Sequence, residues 1–372
     1  MELGELVVYH RGAFMPYRDA TLGLLTHALQ YGTGCFEGMR AFWNDDAEQL
    51  YVFEPVPHFK RLRRSGNVLL MDLPHTDDEL TEITLELCRR NGFRADAYIR
   101  PLLYKSEELF GVRVDNVKHD LAIVAFPNSK YLETDDGLKL CVSSWRRVDD
   151  NAMPARAKIS GSYVNVALAK SEARLNGFDD AIVLSDDGHV SEASAANLFV
   201  LRDGIVTTPD LSQNLLEGVT RKLVTHYLRE ELGLALEARA IDRTELYSAD
   251  EILLCGTGVG IAWVQSLDHR TIGTGTLGSV ARKLQAYYDD VTRGRITQPG
   301  VDARAVYPAT ARREVPAAHR DAPAAHRDVP AAHRDVPART DEPDEQPVDV
   351  ARAAGVATTV RGEAGATSTV AV

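Results

Sequence analysis

The chain has 372 residues, 44% of them hydrophobic and 26% charged, with a formal net charge of -12, which gives room for two domains with real cores and matches an ordinary soluble globular protein. The excess of acid over base, with no long basic stripe, argues against nucleic acid or an anionic membrane as the main partner. Cys35, Cys88, Cys141 and Cys255 lie far apart without a C-x-x-C pair, so neither a zinc site nor a disulfide framework is signalled, and reduced thiols are expected.

From the N-terminus, Glu2 and Glu5 stand where a leader would carry basic residues, and no apolar run reaches the roughly 18 to 20 residues of a spanning helix. A cytoplasmic location is expected. Residues 6 to 9 read as a short strand, and Thr21 to Tyr31 either starts a helix or leads into a turn at Gly32 and Gly34. His58 to Leu70 has helical spacing, and Thr76 offers an N-cap before Asp77, Asp78 and Glu79, in a helix that ends at Asn91-Gly92. Ala97 to Leu103 and Leu121 to Phe126 read as buried strands, and the polar stretch 127 to 137 reads as a connector with a domain boundary near residue 131.

Leu138 to Ser143 alternates like a strand, and the segment around Lys158 leads into a helix ending at Asn176-Gly177. Two strand-turn-strand units follow, around Asp186-Asp187-Gly188 and around Asp203-Gly204. Thr220 to Leu232 is an amphipathic helix stopped at Gly233, Glu251 to Cys255 is a strand, and Leu277 to Tyr288 is a final helix. From about residue 296 the composition changes, and Val-Pro-Ala-Ala-His-Arg-Asp recurs in near-exact copies through residues 314 to 336. Proline every seventh residue breaks a helix, and few large apolar side chains offset ordering entropy, so disorder is expected to Val372. His319, His326 and His333 read better as part of a solvated tail than as metal ligands.

Several residue types gather chemistry. Lys158, in Ala155-Arg156-Ala157-Lys158-Ile159-Ser160-Gly161-Ser162-Tyr163, occupies a short connection, where an amine can be desolvated for covalent work; alone, it would read as a surface lysine. Glu192 precedes Ala193-Ser194-Ala195-Ala196-Asn197, small residues that let backbone approach a ligand and favour a buried carboxylate over an exposed turn. Gly218-Val219-Thr220 opens a helix whose free amides suit an anion. The turn Gly256-Thr257-Gly258 offers more amides but is weak evidence by itself. Arg61 by itself reads as part of a solvated face with Lys60, Arg63 and Arg64.

In this order the motifs resemble the fold-type IV pyridoxal phosphate (PLP) enzymes. With Tyr31-Gly32-Thr33-Gly34-Cys35-Phe36-Glu37-Gly38-Met39-Arg40-Ala41 and Tyr98-Ile99-Arg100-Pro101 added, they resemble the branched-chain amino acid aminotransferases, over about residues 6 to 295. The resemblance implies an α/β (α+β) fold: a small α/β domain at 1–130, a connector and first strand at 131–143, and a larger strand-rich pseudo-barrel domain at 144–295. A disordered tail would occupy 296–372. It implies pyridoxal 5'-phosphate held by Lys158 through a Schiff base, with Glu192 at the ring nitrogen, Tyr163 at the phenolic oxygen, and Arg61, Val219, Thr220 and Thr257 around the phosphate. No metal is implied.

For the substrate, the resemblance puts Tyr31 (from a second subunit), Phe36, Tyr98 and Tyr131 around the side-chain pocket, which Gly38 keeps open. Arg100 would meet the glutamate side-chain carboxylate, and Tyr98, Thr257 and the Gly258 amide the α-carboxylate. Arg40 is a further substrate-binding candidate, with a surface ion pair as the alternative. The implied reaction is transamination of leucine, isoleucine or valine with 2-oxoglutarate by at least a homodimer. Three features depart from the family pattern: Gly258-Val259-Gly260 stands where Ala-Ala-Glu is common, Ala196 where an acid is frequent, and 109 to 116 matches loosely. The rivals are a D-amino acid aminotransferase, an aminodeoxychorismate lyase, and a non-catalytic relative serving as an interaction module.

Overall fold

The computed structural model describes residues 3–128 and 136–308. In chain order its elements are β1 (Val7–His10), β2 (Ala13–Pro16), α1 (His27–Tyr31), β3 (Gly34–Phe36), β4 (Met39–Asn44), β5 (Gln49–Phe53), α2 (Pro55–Val68), α3 (Asp77–Asn91), β6 (Ala97–Lys105) and β7 (His119–Pro127). Then come β8 (Leu138–Arg146), α4 (Tyr163–Leu175), β9 (Asp180–Leu184), β10 (Val190–Ala193), β11 (Asn197–Arg202), β12 (Ile205–Thr208), α5 (Val219–His226), β13 (Ala235–Ala238), β14 (Glu251–Gly256), β15 (Gly260–Leu267), β16 (Arg270–Thr271), α6 (Ser279–Thr292) and β17 (Ala303–Ala305).

These strands form two sheets. The first runs β17-β5-β4-β6-β7-β1-β2 with β3 beside β6, and the second runs β10-β9-β8-β15-β14-β11-β12-β13 with β16 beside β15. The first is antiparallel throughout, built on the long β6–β7 ladder from Ala97↔Pro127 to Lys105↔His119. The second is mixed, because β8 runs parallel to both β9 and β15. A parallel pair needs a crossover, and the connection from β8 through α4 to β9 supplies it. Lys158 lies in that crossover. One apolar cluster joins Phe42 and Phe53 of the first sheet to Phe199, Leu253, Leu223 and Tyr288 of the second half, so the sheets share a core.

Local signals explain several boundaries. Thr76 accepts from the Glu79 amide at 3.2 Å while the Glu79 carboxylate accepts from the Thr76 amide at 2.7 Å; this reciprocal cap starts α3, and Gly92 ends it in the left-handed region. The hairpin β11–β12 turns on Asp203 and Gly204, both at positive φ, as a two-residue turn of matching twist requires. The helix in Thr21 to Tyr31 covers only His27–Tyr31 and stops at Gly32, φ 67. A Cβ there would also lie 2.8 Å from the Gly161 Cα, so this glycine lets the Lys158 connection close on the first sheet. The helix expected to Leu232 is α through His226 and continues as a π turn over Tyr227–Glu231.

Two expectations change. Strands β4 and β5 went unread because they are buried with almost no alternation, which removes the period-two signal. The tail does not begin at 296. Ala303–Ala305 pairs with β5, Val306 is buried, and the Asp302 amide donates to the Glu54 carboxylate at 3.0 Å. Residues 296–308 therefore complete the edge of the first sheet, and the repeat segment lies outside the described residues. Among the described residues no helix is long and apolar enough to cross a membrane, and no cluster of His, Cys, Asp or Glu could hold a metal.

Candidate active site

A cavity of about 140 Å³ lies among the crossover, the start of α5, the β14–β15 turn and strands of the first sheet, lined among others by Lys158, Tyr163, Glu192 and Arg61. Lys158 is fixed by its backbone: its amide donates to Ser65 Oγ at 3.0 Å, and its carbonyl accepts from the Phe36 amide at 3.0 Å. Its Nζ donates to the Tyr163 hydroxyl and stands 5.0 Å from the Phe36 ring centroid. Burial, then the Arg61 cation, brings its pKa down to about 8. The amine is thus partly free near neutrality. The Tyr163 hydroxyl is pushed up to about 12, by burial and then by Glu192, and stays protonated.

Glu192, on β10, is buried and reaches the same cavity. It accepts from Asn197 Nδ2 at 2.9 Å and the Leu216 amide at 3.2 Å, and pairs with Arg147 at 3.0 Å. Burial raises its pKa, and Arg147 is the largest influence opposing that rise.

Arg61, on α2, is buried with Glu37 and His58. Its Nε and one terminal nitrogen donate to Glu37 at 2.7 Å each, and the other terminal nitrogen donates to the Glu217 carbonyl at 2.9 Å. Three of five guanidinium N–H groups are engaged, which leaves two for a ligand. The Arg61 guanidinium, with the His58 hydrogen bond, holds the Glu37 carboxyl far below the usual range despite full burial. His58 is pushed down by burial, so a neutral ring donates from Nδ1 to Glu37 at 2.7 Å. The first amides of α5 have no partner within the helix, and Val219 and Thr220 line the cavity beside Thr257 and Gly258.

The first sheet adds Phe36, Gly38, Tyr98 and Arg100. The Arg100 guanidinium lies 4.5 Å from the Phe36 ring centroid and donates to the Tyr98 hydroxyl at 2.9 Å, while its buried Nε has no partner. A Cβ on Gly38 would meet the Tyr98 oxygen at 2.2 Å. Two candidates do not line this cavity. Tyr31 accepts at its hydroxyl from the Gly111 amide at 3.1 Å and packs on the buried His27 ring. Arg40, expected at the substrate, is drawn aside: it stacks on Phe42 and reaches Asp96 and the Asn128 carbonyl at 3.5 Å each. Tyr131 lies outside the described residues.

A family model described as amino-transferase class IV matches residues 34–267. A probable branched-chain-amino-acid aminotransferase of Aquifex aeolicus is 40% identical over 288 residues, 77% of this chain and 93% of that protein. The chain belongs to the branched-chain aminotransferase family of class IV. The branched-chain-amino-acid aminotransferase of Pseudomonas aeruginosa is 36% identical over 292 residues, 78% of this chain and 94% of that one. The structure of the branched-chain aminotransferase from Thermoproteus uzoniensis with norvaline gives a TM-score of 0.77 at 37% identity, over 82% of this chain and 100% of that one. The T.th. enzyme, complexed with N-(5'-phosphopyridoxyl)-L-glutamate, gives 0.74 at 38%, over 80% and 97%. With these neighbours the chain has the fold-type IV architecture.

Four residues beyond the sequence candidates shape the site: Arg147, Asn197, Glu37 and His58. His58 stands three residues before Arg61 on α2, a same-face spacing that could have flagged it. Arg147 sits in an irregular loop with no periodic signal. Its role depends on folding against β9, where its amide donates to the Leu184 carbonyl at 2.8 Å.

Proposed function

We propose that the chain catalyses PLP-dependent transamination between branched-chain L-amino acids and 2-oxoglutarate, giving branched-chain 2-oxo acids and L-glutamate. The observation that carries this reading is a desolvated Lys158 amine, held against Tyr163 in one cavity with the buried Glu192 carboxylate. The residues present fit the cofactor: a free amine, a carboxylate for a ring nitrogen, and two spare Arg61 N–H groups near an unpartnered helix start. Charge accounting agrees. Arg61 is balanced by Glu37 and Arg147 by Glu192, which leaves Arg100 as a positive group of the cavity lining for a substrate carboxylate.

Bound pyridoxal 5'-phosphate supplies an aldehyde with which amines condense and a ring that takes up electrons as the substrate Cα–H bond breaks. Lys158 anchors it. Glu192 holds a proton at the ring nitrogen, Tyr163 donates to the phenolic oxygen, and Arg61, Val219, Thr220 and Thr257 bind the phosphate. As a free amine, Lys158 Nζ would take the proton from the substrate α-carbon and pass it to the cofactor carbon C4′, and in the other half-reaction would move a proton the opposite way. Phe36 and Tyr98 offer ring faces to a branched side chain; Tyr131 joins them only as the resemblance implies. A glutamate carboxylate instead meets the Arg100 guanidinium, whose residue lines the cavity, so one pocket serves both substrates. Tyr98, Thr257 and the Gly258 amide receive the α-carboxylate. Arg40 is left out of this set, since its guanidinium is turned towards Asp96.

A homodimer belongs to the reading. Tyr31 stands apart from its own cavity amid exposed apolar residues, Leu24 (81%), Leu29 (60%), Phe110 (89%) and Val112 (78%), a surface that suits a second copy and would carry Tyr31 to the partner's cavity. A cytoplasmic setting fits four buried cysteines that are all free. The test is a panel of L-leucine, L-isoleucine, L-valine and D-alanine with 2-oxoglutarate, and aminodeoxychorismate alone. Turnover should be greatest on the branched L-amino acids, and fastest reaction on either of the last two would overturn the assignment.

A further inference from the structure

We infer that Arg147 is a positioning residue for Glu192: its guanidinium fixes the buried carboxylate as an anion, with one lone pair left for the cofactor's ring nitrogen. The inference rests on the cofactor reading above. A carboxylate has about four lone-pair sites. On Glu192, Asn197 Nδ2 and the Leu216 amide take both sites of one oxygen, and Arg147 takes one on the other at 3.0 Å. The remaining site belongs to a residue that lines the cavity. Arg147 is itself immobilised, because its Nε donates to the Asn214 carbonyl at 2.9 Å and its amide to Leu184.

Without a facing cation, a carboxyl this deeply buried takes a proton and becomes neutral. Other charged and titratable groups act on it from the surrounding elements: Lys158, Arg61, Arg221, Tyr163 and Cys255. Arg147 has the largest charge influence among them, and among the described residues it alone forms an ion pair with Glu192. Loss of its charge would leave Glu192 neutral and the cofactor ring without its proton. The ring would become a poorer electron acceptor and would hold neighbouring protons more firmly.

The experiment titrates the visible absorbance of the PLP-loaded protein against pH and follows thermal melting in parallel. Arg147→Gln should raise the midpoint of the absorbance change by about a unit or more, the scale of a nearby charge, and Arg147→Lys should restore it. Glu192→Gln should give the same rise. The double variant Glu192→Gln with Arg147→Gln lacks both charges and should melt higher than Arg147→Gln while titrating like Glu192→Gln alone. This pair decides the matter even where Arg147→Gln does not fold. A merely structural arginine would lower the melting temperature with no change in midpoint, and that result overturns the proposal. A further shift in the double variant overturns it too, because Arg147 would then act on the cofactor directly. Wild-type protein that stays colourless with added PLP would sink the cofactor reading itself, and the proposal with it.

Discussion

The Lys158 amine titrates at about 8 where an ordinary lysine titrates at 10.5, first because it is buried and second because Arg61 faces it. At pH 7 about a tenth of it is free base, roughly 300-fold more than an unperturbed lysine provides. The capture rate of pyridoxal 5'-phosphate by cofactor-free protein, followed as visible absorbance, should therefore climb about tenfold per pH unit and level off near pH 8. Lys158→Ala should show no such absorbance and no turnover. A rate that kept climbing beyond pH 10 would mark a solvated amine and refute the argument. Stability carries the same sign: between pH 8 and 10.5 the unfolded chain binds a proton that the folded chain does not, so this group's contribution to stability rises with pH across that window and is lowest below it.

Glu37→Gln should cost about 3–5 kcal/mol in denaturant unfolding, because it removes one partner of a buried pair and leaves the Arg61 cation uncompensated; a loss under about 1 kcal/mol would contradict that geometry. Gly38→Ala must displace the Tyr98 hydroxyl, whose oxygen would lie 2.2 Å from the new Cβ. The resulting loss of kcat/KM should be steeper for L-isoleucine than for a small amino donor, and equal losses would exclude a pocket-narrowing effect. Arg100→Leu should raise KM for 2-oxoglutarate roughly 10- to 100-fold, the value of one charge-assisted contact, with little change for L-leucine; parallel changes for both would remove Arg100 from the carboxylate site. A chain ending at residue 300 loses β17 and buried Val306. It should melt below one ending at 308, and identical melting would deny the strap a structural part.

Much of the site was legible because its residues lie in short contiguous motifs. Lys158 with Tyr163, Glu192 with the small residues that follow it, and Val219 with Thr220 each combine a candidate side chain with small or capping neighbours, and such combinations are written locally. Arg40 shows the limit. Across the β4–β6 pairing it stands opposite Tyr98, but a long guanidinium goes where its partners are, and Asp96 with the Asn128 carbonyl draw it aside. The first sheet was half hidden for a related reason, since β4 and β5 are covered so fully that their burial loses its alternation. The tail boundary was misread because pairing to β5, 250 residues earlier, holds Ala303–Ala305 in place.

Sequence by itself determined the reactive inventory and the reaction family: an amine on a Ser/Gly connection, a carboxylate among small residues, and anion-binding turns, each readable within about ten positions. Tertiary structure alone decided the electrostatic partners, Glu37 for Arg61 and Arg147 for Glu192, and with them the titration of Lys158. The reason is physical: burial and charge pairing depend on distances between segments that the chain brings together only when both sheets close around one cavity.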